Sequence, residues 1–502
     1  MENSVNKPKS PKVLMLSPYF VPRKRVGALR SYKFAKHLKN LDWQVRVIHL
    51  EAKGQRLSES EKTALDGVGL FGLKTPFDRT INRSGSDLGV VDSQSNTRQR
   101  GREHDSIAQN DIGKGVHTSR DSNQVHAPIQ RAIDEVERFL PLDTWYPLLL
   151  SHLNYMEQIL IQEQPDLIWV TADPWSGLSV VRTLSKRTGI PFVADFRDPF
   201  TLCPIRSTKK SSWVQKIEKR LEEKVIQEAA AIVFTAGETL KMYQKSYANY
   251  ADKMHVIHNA FDNDLINRSE EYLSTSVQRQ INGSSEILEH STTIEHSTTI
   301  ELTHDLDTEL NSDPFKLLFL GKFRSSSPID PLIESFNVLK RNNPAFFSTL
   351  RLYHIGTLDV QTQEKLNAHG LTDHFESLAP IPYDKVPDFI EEFDALISLL
   401  NPIRNMVIPS KFWDYLPTTP PIISIGSNNE MNEILTTTQR GYQFESSQTK
   451  EIADKMYALR VQRGAVSITR STPKNHFERI ESFSAEQKTR ELSRLFLSVI
   501  KK

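Results

Sequence analysis

The sequence predicts an α/β protein made of two doubly wound parallel-sheet units facing a central cleft. Short continuous apolar runs recur from Val13-Leu14-Met15-Leu16 to Pro421-Ile422-Ile423-Ser424, as strands buried on both faces require. Segments with helical spacing alternate with them, the pattern of βα units. The series also breaks once and restarts, and a chain of 502 residues at about 150 per domain suggests two or three domains.

The first unit opens with strand Val13–Ser17, a loop Pro18–Gly27 rich in proline and cations, and a helix placing Phe34, Leu38 and Leu41 at i, i+4 and i+7. Val45–Ile48 is the next strand. Gly54 to Gln130 is rich in Ser, Asp, Asn, Arg and Gln with few large apolar side chains, so most of it reads as a disordered or loosely packed insertion. Order is expected again near Phe139-Leu140-Pro141, with a helix from Tyr146 to about Gln162. Strands Leu167–Val170, Phe192–Ala194, Ala231–Phe234 and Val256-Ile257 follow, separated by helices Gly177–Arg187 and Trp213–Glu228. Asn263 to Asp313 is a second stretch of low order, containing a perfect hexapeptide repeat, Glu289–Ile294 then Glu295–Ile300. Two copies are too few for a solenoid, so a duplication in a tolerant linker is the simpler account. The second unit runs through strands Lys316–Gly321, Leu350–Ile355, Ala395–Leu399 and Pro421–Ser424 to a C-terminal helix, Ala485 to Lys501. The expected division is 1–262 (with 54–130 the insertion), linker 263–313, 314–483, and a terminal helix 484–502.

Bulk composition excludes several function classes. With 63 basic and 62 acidic side chains the net charge is +1, so no global field favours nucleic acid. The single cysteine, Cys203, excludes an internal disulfide and a thiolate metal cluster, and fits a reducing, cytoplasmic compartment. No run approaches the roughly 18 apolar residues of a membrane span, so any membrane contact would be peripheral. The Pro18–Arg30 loop lacks GxGxxG and GxxxxGK[ST], which disfavours a nicotinamide dinucleotide and a P-loop kinase there, and the sequence lacks HExxH, CxxC and GxSxG, which removes support for zinc-hydrolase and serine-hydrolase chemistry.

Ligands of open α/β sheets bind beyond the carboxyl ends of strands, and the residues there are the informative ones. Pro409-Ser410-Lys411-Phe412-Trp413-Asp414-Tyr415-Leu416 reads as a turn into a short helix, with Lys411 and Asp414 three apart on one face. A cation suits a diphosphate and a carboxylate suits a ribose diol; the plainer alternative is a surface ion pair. Lys322 and Arg324 follow the first strand of the second unit, where they could neutralise a diphosphate. Gly27 would let the matching first-unit loop approach a ligand closely. Asp195, Arg197 and Asp198 end another first-unit strand, either as an internal Asp–Arg–Asp bridge or as a cluster orienting an acceptor hydroxyl, whose proton Asp195 or Asp198 could accept. The helix from Trp213 has basic neighbours like a membrane-surface helix, but Glu218, Glu222 and Glu223 dilute that charge and favour an ordinary amphipathic helix.

These segments together resemble bacterial nucleotide-sugar glycosyltransferases of the GT-B fold, the large group called family four. The resemblance rests on Ser17–Phe20 with Gly27–Arg30, Leu140–Trp145, Ala194–Pro199, Gly321 with its basic neighbours, and Pro409–Leu416. It implies two Rossmann-like domains and transfer of a sugar from a nucleoside diphosphate sugar to an acceptor hydroxyl, in cell-surface polysaccharide or lipopolysaccharide assembly. Lys322 or Arg324 with Lys411 would contact the diphosphate, Asp414 the ribose, and Gly27 the donor phosphate. A sugar or lipid-linked acceptor would lie near Asp195, Arg197 and Asp198. It further implies no metal, no cofactor beyond the donor substrate, and retention of anomeric configuration. Two positions depart from the family pattern: Met406 stands where better-known members carry a Glu, and Ser326, Ser327 and Pro328 stand where a lysine is common. Two rivals stay open: another enzyme on the same scaffold, such as a nucleotide-sugar epimerase, and a non-catalytic homologue that binds a nucleotide or a partner enzyme, of which those departures would be signs.

Overall fold

The computed structural model describes residues 10–23, 26–52, 54–75, 138–262, 313–321, 323, 329–356, 358–379, 381, 385–465 and 475–501. Lys322, Arg324, residues 326–328 and the hexapeptide repeat lie outside the described residues.

The first sheet holds β1 (Lys12–Leu16), β2 (Gln44–Leu50), β3 (Gly69–Leu73), β4 (Leu167–Thr171), β5 (Phe192–Phe196), β6 (Ala231–Phe234) and β7 (Met254–Val256). Their order is β3-β2-β1-β4-β5-β6-β7, and all neighbours run parallel. The second holds β8 (Phe315–Leu320), β9 (Leu350–Ile355), β10 (Phe375–Leu378), β11 (Ala395–Leu399), β12 (Ile422–Ile425) and β13 (Gly441–Phe444), in the order β10-β9-β8-β11-β12-β13, again all parallel. The architecture is the expected pair of doubly wound α/β sheets. Each order reverses once, between β1 and β4 and between β8 and β11. At such a reversal the two flanking loops leave in opposite directions and open a crevice.

One expectation needs correction. Residues 59–73 sit inside the stretch read as an insertion of low order, yet they form the helix Glu59–Ala64 and β3. Ser58 caps that helix and Glu61 reaches back to its backbone, a capping box. β3 is an edge strand containing two glycines, and only its last residue is fully buried, so it carries no apolar run to be recognised. The segment expected as one helix from Tyr146 is two, Tyr146–Ser151 and Leu153–Glu163, broken at His152.

Burial explains how the halves join. One face of the first sheet packs Val13, Met15, Phe34, Trp43 and Trp169 against Leu492 and Phe496 of the C-terminal helix Ala485–Ile500. Trp43 donates its indole N–H to Ser493 Oγ at 2.8 Å and meets the Phe496 ring edge-on at 5.5 Å. The chain thus returns from the second sheet to close the core of the first. At the crossing, Ala485 N donates to Phe261 O at 2.8 Å. Phe261 and Ala236 from the first half are buried in one cluster with Phe412, Trp413 and Ile480 from the second.

Within the second sheet, the carboxyl ends of β8 and β9 are tied by His354, which is buried and lies 2.5 Å from Gly321 O through Nε2. Rings of Phe319, Phe323 and Phe375 surround it. Burial pushes its pKa down to about 4; the Gly321 carbonyl opposes that and the Lys411 charge adds to it. The neutral ring therefore donates to the carbonyl.

Two predictions follow from this packing. Phe496→Ala should lower stability by about 3–5 kcal/mol in urea unfolding, because it empties a closed site in the first-half core; a change below about 0.5 kcal/mol would mean the terminal helix is not part of that core. Between pH 6.5 and about 4 the unfolded chain takes up a proton at His354 that the folded chain refuses. Stability present above pH 6.5 should therefore fall across that window, and His354→Gln should flatten the fall relative to wild type. Identical slopes for the two proteins in pH-dependent unfolding would contradict this.

Candidate active site between the two sheets

The crevice of the second sheet lies between the loops following β8 and β11, and the segment Pro409–Leu416 closes it. Leu320, the last residue of β8, has both backbone groups taken by that segment. Its N–H donates to Tyr415 Oη at 2.8 Å, and its carbonyl accepts from Lys411 Nζ at 2.7 Å. Tyr415 is buried, and burial with the nearby Asp414 charge keeps its hydroxyl protonated. A Cβ on Gly321 would collide with Lys411 Nζ, and its φ of +134° is one that side chains rarely adopt. The ammonium thus rests on the carboxyl end of the central strand. The helix is a single turn, Phe412–Tyr415, with Lys411 at its N-cap, so the side chain and not a macrodipole must supply the positive charge. Asp414 is half-buried on the same turn.

Two buried groups fix this segment from behind. Arg440 donates to the carbonyls of Leu416, Thr418, Thr419 and Pro420. Burial lowers its pKa to about 10, opposed by Glu391, so it stays charged at neutral pH. Asn428 bonds the carbonyls of Asn405 and Val407 at 2.7 and 3.3 Å while capping the helix Asn429–Thr438 through Met431 N at 2.8 Å. Met406, the residue departing from the family pattern, therefore sits in a fixed loop. Its carbonyl accepts from Thr239 Oγ1 at 2.7 Å across the cleft. With Lys241, Lys245, Asn405 and Asn429 it lines an open cavity of about 420 Å³ between the halves.

On the first-half side the three expected residues part company. Asp195 is fully buried and receives Arg30 through Nε at 2.8 Å and Nη2 at 3.3 Å. Arg30 also donates to Ile257 O, His258 O and Asn259 Oδ1, so this ion pair ties β5 to the chain leaving β7. Asp195 does not open onto the cleft, and the internal Asp–Arg–Asp bridge is absent. Asp198 pairs with Arg404 of the other half at 2.7 Å, with both side chains about one-third exposed. Arg197 presses its guanidinium on Gly27, where a Cβ would collide with Nη1. That Nη1 is buried and has no hydrogen-bond partner among the described residues. An uncompensated buried cation donor is costly.

The other first-half segments singled out in the sequence meet one another. Trp145 Nε1 donates to Tyr19 Oη at 2.8 Å, joining the loop after β1 to the Leu140–Trp145 segment, and Arg23 lies 5.9 Å over the Trp145 ring. Asp143 accepts from Trp145 N, Ser176 N and Ser176 Oγ, so it holds the segment on the start of the helix Ser176–Thr188. Burial raises its pKa against those hydrogen bonds.

Sequence reasoning missed Arg404, His354, Glu430 and His258. Glu430 accepts from Gly237 N at 2.8 and 2.7 Å and lies 2.7 Å from His258 Nε2, so it joins the halves beside the cleft. Arg404 was findable, since it follows the strand Ala395–Leu399 at its carboxyl end. The partners of the other three lie far away in sequence.

Residues 112–265 match the model of Glycosyltransferase Family 4. No curated protein matches the chain. Among solved structures, sucrose-phosphate synthase from Thermosynechococcus elongatus is similar at a TM-score of 0.57 and 11% identity, over 98% of this chain and 99% of that one. A glycosyltransferase from Rickettsia africae gives 0.55 and 11%, over 98% and 99%. The Anabaena protein HepE, solved in complex with UDP, gives 0.53 and 12%, over 97% and 100%. At these identities the structures speak for the fold alone, and the family match speaks for residues 112–265. The chain thus has the GT-B fold, and residues 112–265 of it match Glycosyltransferase Family 4.

Proposed function

We propose that the donor diphosphate binds over Gly321 against the Lys411 ammonium, with the ribose on Asp414. The observation that carries this reading is the Lys411–Leu320 contact of 2.7 Å, which fixes a cation at the reversal point of the second sheet. Lys322 and Arg324, next to Gly321 in the sequence, would add charge to the diphosphate. The first half contributes Arg197, whose buried Nη1 backs onto Gly27 and supplies a donor to a phosphate or an acceptor oxygen. Asp198 orients the acceptor hydroxyl, held by Arg404. Asp195 acts through Arg30 as a positioning residue and touches no substrate.

In the step itself, the bond from the sugar's anomeric carbon to the diphosphate breaks and a bond from that carbon to the acceptor oxygen forms. The acceptor proton leaves with the diphosphate. Cations and backbone donors stabilise the departing charge, which is why the reading is metal-independent. Retention of anomeric configuration rests on the family resemblance, from which Met406 departs. The acceptor is a sugar or a lipid-linked sugar in cell-surface polysaccharide or lipopolysaccharide assembly in the cytoplasm; this part rests on the family resemblance. The family match favours transfer over an epimerase or a non-catalytic homologue.

Thermal-shift titration with UDP-, GDP- and dTDP-sugars tests the site. One nucleotide class should raise the melting temperature, and Lys411→Ala and Asp414→Ala should each weaken that response roughly 10- to 100-fold, the loss of a charge-assisted hydrogen bond. A response retained in both variants, or none in folded wild type, would remove the donor site from this cleft.

A further inference from the structure

We infer that the buried carboxylate of Glu222 is a positioning residue, which holds Asp198 in register with Arg404 across the cleft. The inference rests on the role given to Asp198 above and names the group that sets its place.

Glu222 lies on the helix Ser212–Glu228 and is fully buried. Its partners among the described residues are a backbone N–H and three hydroxyls, with no cation. Thr201 donates through N at 3.1 Å and also through Oγ1, Tyr243 through Oη at 2.5 Å and Tyr247 through Oη at 2.8 Å. Burial pushes the Glu222 pKa up, against the hydrogen bonds from Thr201, Tyr243 and Tyr247. Taking a carboxylate out of water is costly even when it is hydrogen-bonded, and an apolar side chain of similar volume would meet the needs of packing. The carboxylate is explained by what it joins.

Three elements meet at Glu222. Tyr243 lies on the helix Gly237–Ser246 and Tyr247 is its C-cap, while Thr201 belongs to the segment that leaves β5. Tyr243 Oη also accepts from Phe200 N at 2.8 Å, so two successive amides of that segment end on one hydrogen-bonded cluster. On the other side of Asp198, the carbonyl of Arg197 accepts from Thr235 Oγ1 at 2.6 Å. Pro199, between the two anchors, has a fixed φ and no N–H of its own. The place of Asp198 is thus set at 197 and at 200–201, and the second anchor runs through Glu222. The helix Gly237–Ser246 in turn meets the second half: Gly237 N donates to Glu430, and Thr239 Oγ1 to Met406 O at 2.7 Å. Asp198 meets Arg404, two residues before Met406, at 2.7 Å. The first-half groups in these three contacts all belong to the two elements that Glu222 fastens together. Keeping Asp198 opposite Arg404 while Thr239 stays opposite Met406 requires a fixed offset between those elements, and Glu222 with Tyr243 is the joint that sets it.

Hydrogen–deuterium exchange and donor turnover of the full chain test the inference together. Turnover is read as nucleoside diphosphate released from whichever UDP-, GDP- or dTDP-sugar raises the melting temperature, with water in the acceptor's place. The water oxygen bonds to the anomeric carbon, the bond to the diphosphate breaks, and one water proton leaves with the diphosphate. In Glu222→Ala, exchange should quicken at Phe200 and Thr201 and also at residues 403–407 of the other half. The release rate at saturating donor should fall roughly 100-fold, the loss expected when a group is displaced by about 1 Å, with the donor KM little changed. Glu222→Gln keeps an acceptor for Thr201 N and should recover most of that rate. Adding Glu222→Ala to Asp198→Asn should lower the rate no further, because both act at one place. If Glu222→Ala does not fold, Tyr243→Phe, which keeps the buried volume and frees Phe200 N, carries the same comparison. Faster exchange confined to the first half, losses that multiply in the double variant, or a raised donor KM at full rate would overturn the inference. Exchange at 403–407 decides it without any turnover, so full turnover in Asp198→Asn would remove the acceptor role of Asp198 and leave that decision standing.

Discussion

The carboxylate of Glu430 is the contact on which the arrangement of the two sheets depends. It belongs to the first turn of a second-half helix, Asn429–Thr438, yet it accepts the backbone N–H of Gly237, the first residue of the first-half helix Gly237–Ser246. Burial alone would push its pKa up, but the His258 hydrogen bond and the Gly237 N–H outweigh that and hold it below the usual carboxylate range. A charged carboxylate on a helix N-terminus is favourable, and here it joins two domains at once. His258 in turn packs against Trp413 and Phe483, so the polar contact sits beside an aromatic seam. With this pin in place, the carboxyl ends of both sheets face one cleft, and Thr239–Met406 and Asp198–Arg404 can close across it.

The fold was largely legible because its central strands are buried on both faces. β4, β6, β11 and β12 are almost wholly apolar, and β5 and β8 are so but for Asp195 and Lys316, as strands covered on both faces of a parallel sheet require. The strands that escaped notice are the edges. β3 has two glycines, β10 reads Phe-Glu-Ser-Leu, and β13 begins with glycine; each is only partly buried and needs no apolar run. Their pairing comes from the neighbouring strand and not from their own pattern.

The site was legible in part, for a different reason. Arg197 and Asp198 could be picked out as candidates by their place at a strand end, and Lys411 and Asp414 by their spacing on a short helix. What a sequence does not give is which charge meets which. Asp195 and Asp198 are three apart and chemically alike, yet one is bound to Arg30 inside the domain and the other to Arg404 across the cleft. In the same way Glu218 and Glu222 look solvent-facing in the sequence until Arg206 and Tyr243 are seen to meet them.

The central claim is that one cleft, floored by Lys411 and roofed by Arg197, holds the donor between both sheets. Hydrogen–deuterium exchange with and without saturating UDP, GDP or dTDP tests it most directly, because it reads every backbone segment at once. The account predicts that the nucleotide which binds will slow exchange both in residues 405–416 and in residues 17–30 of the opposite half. Protection confined to one half, or appearing only away from these loops, would contradict it.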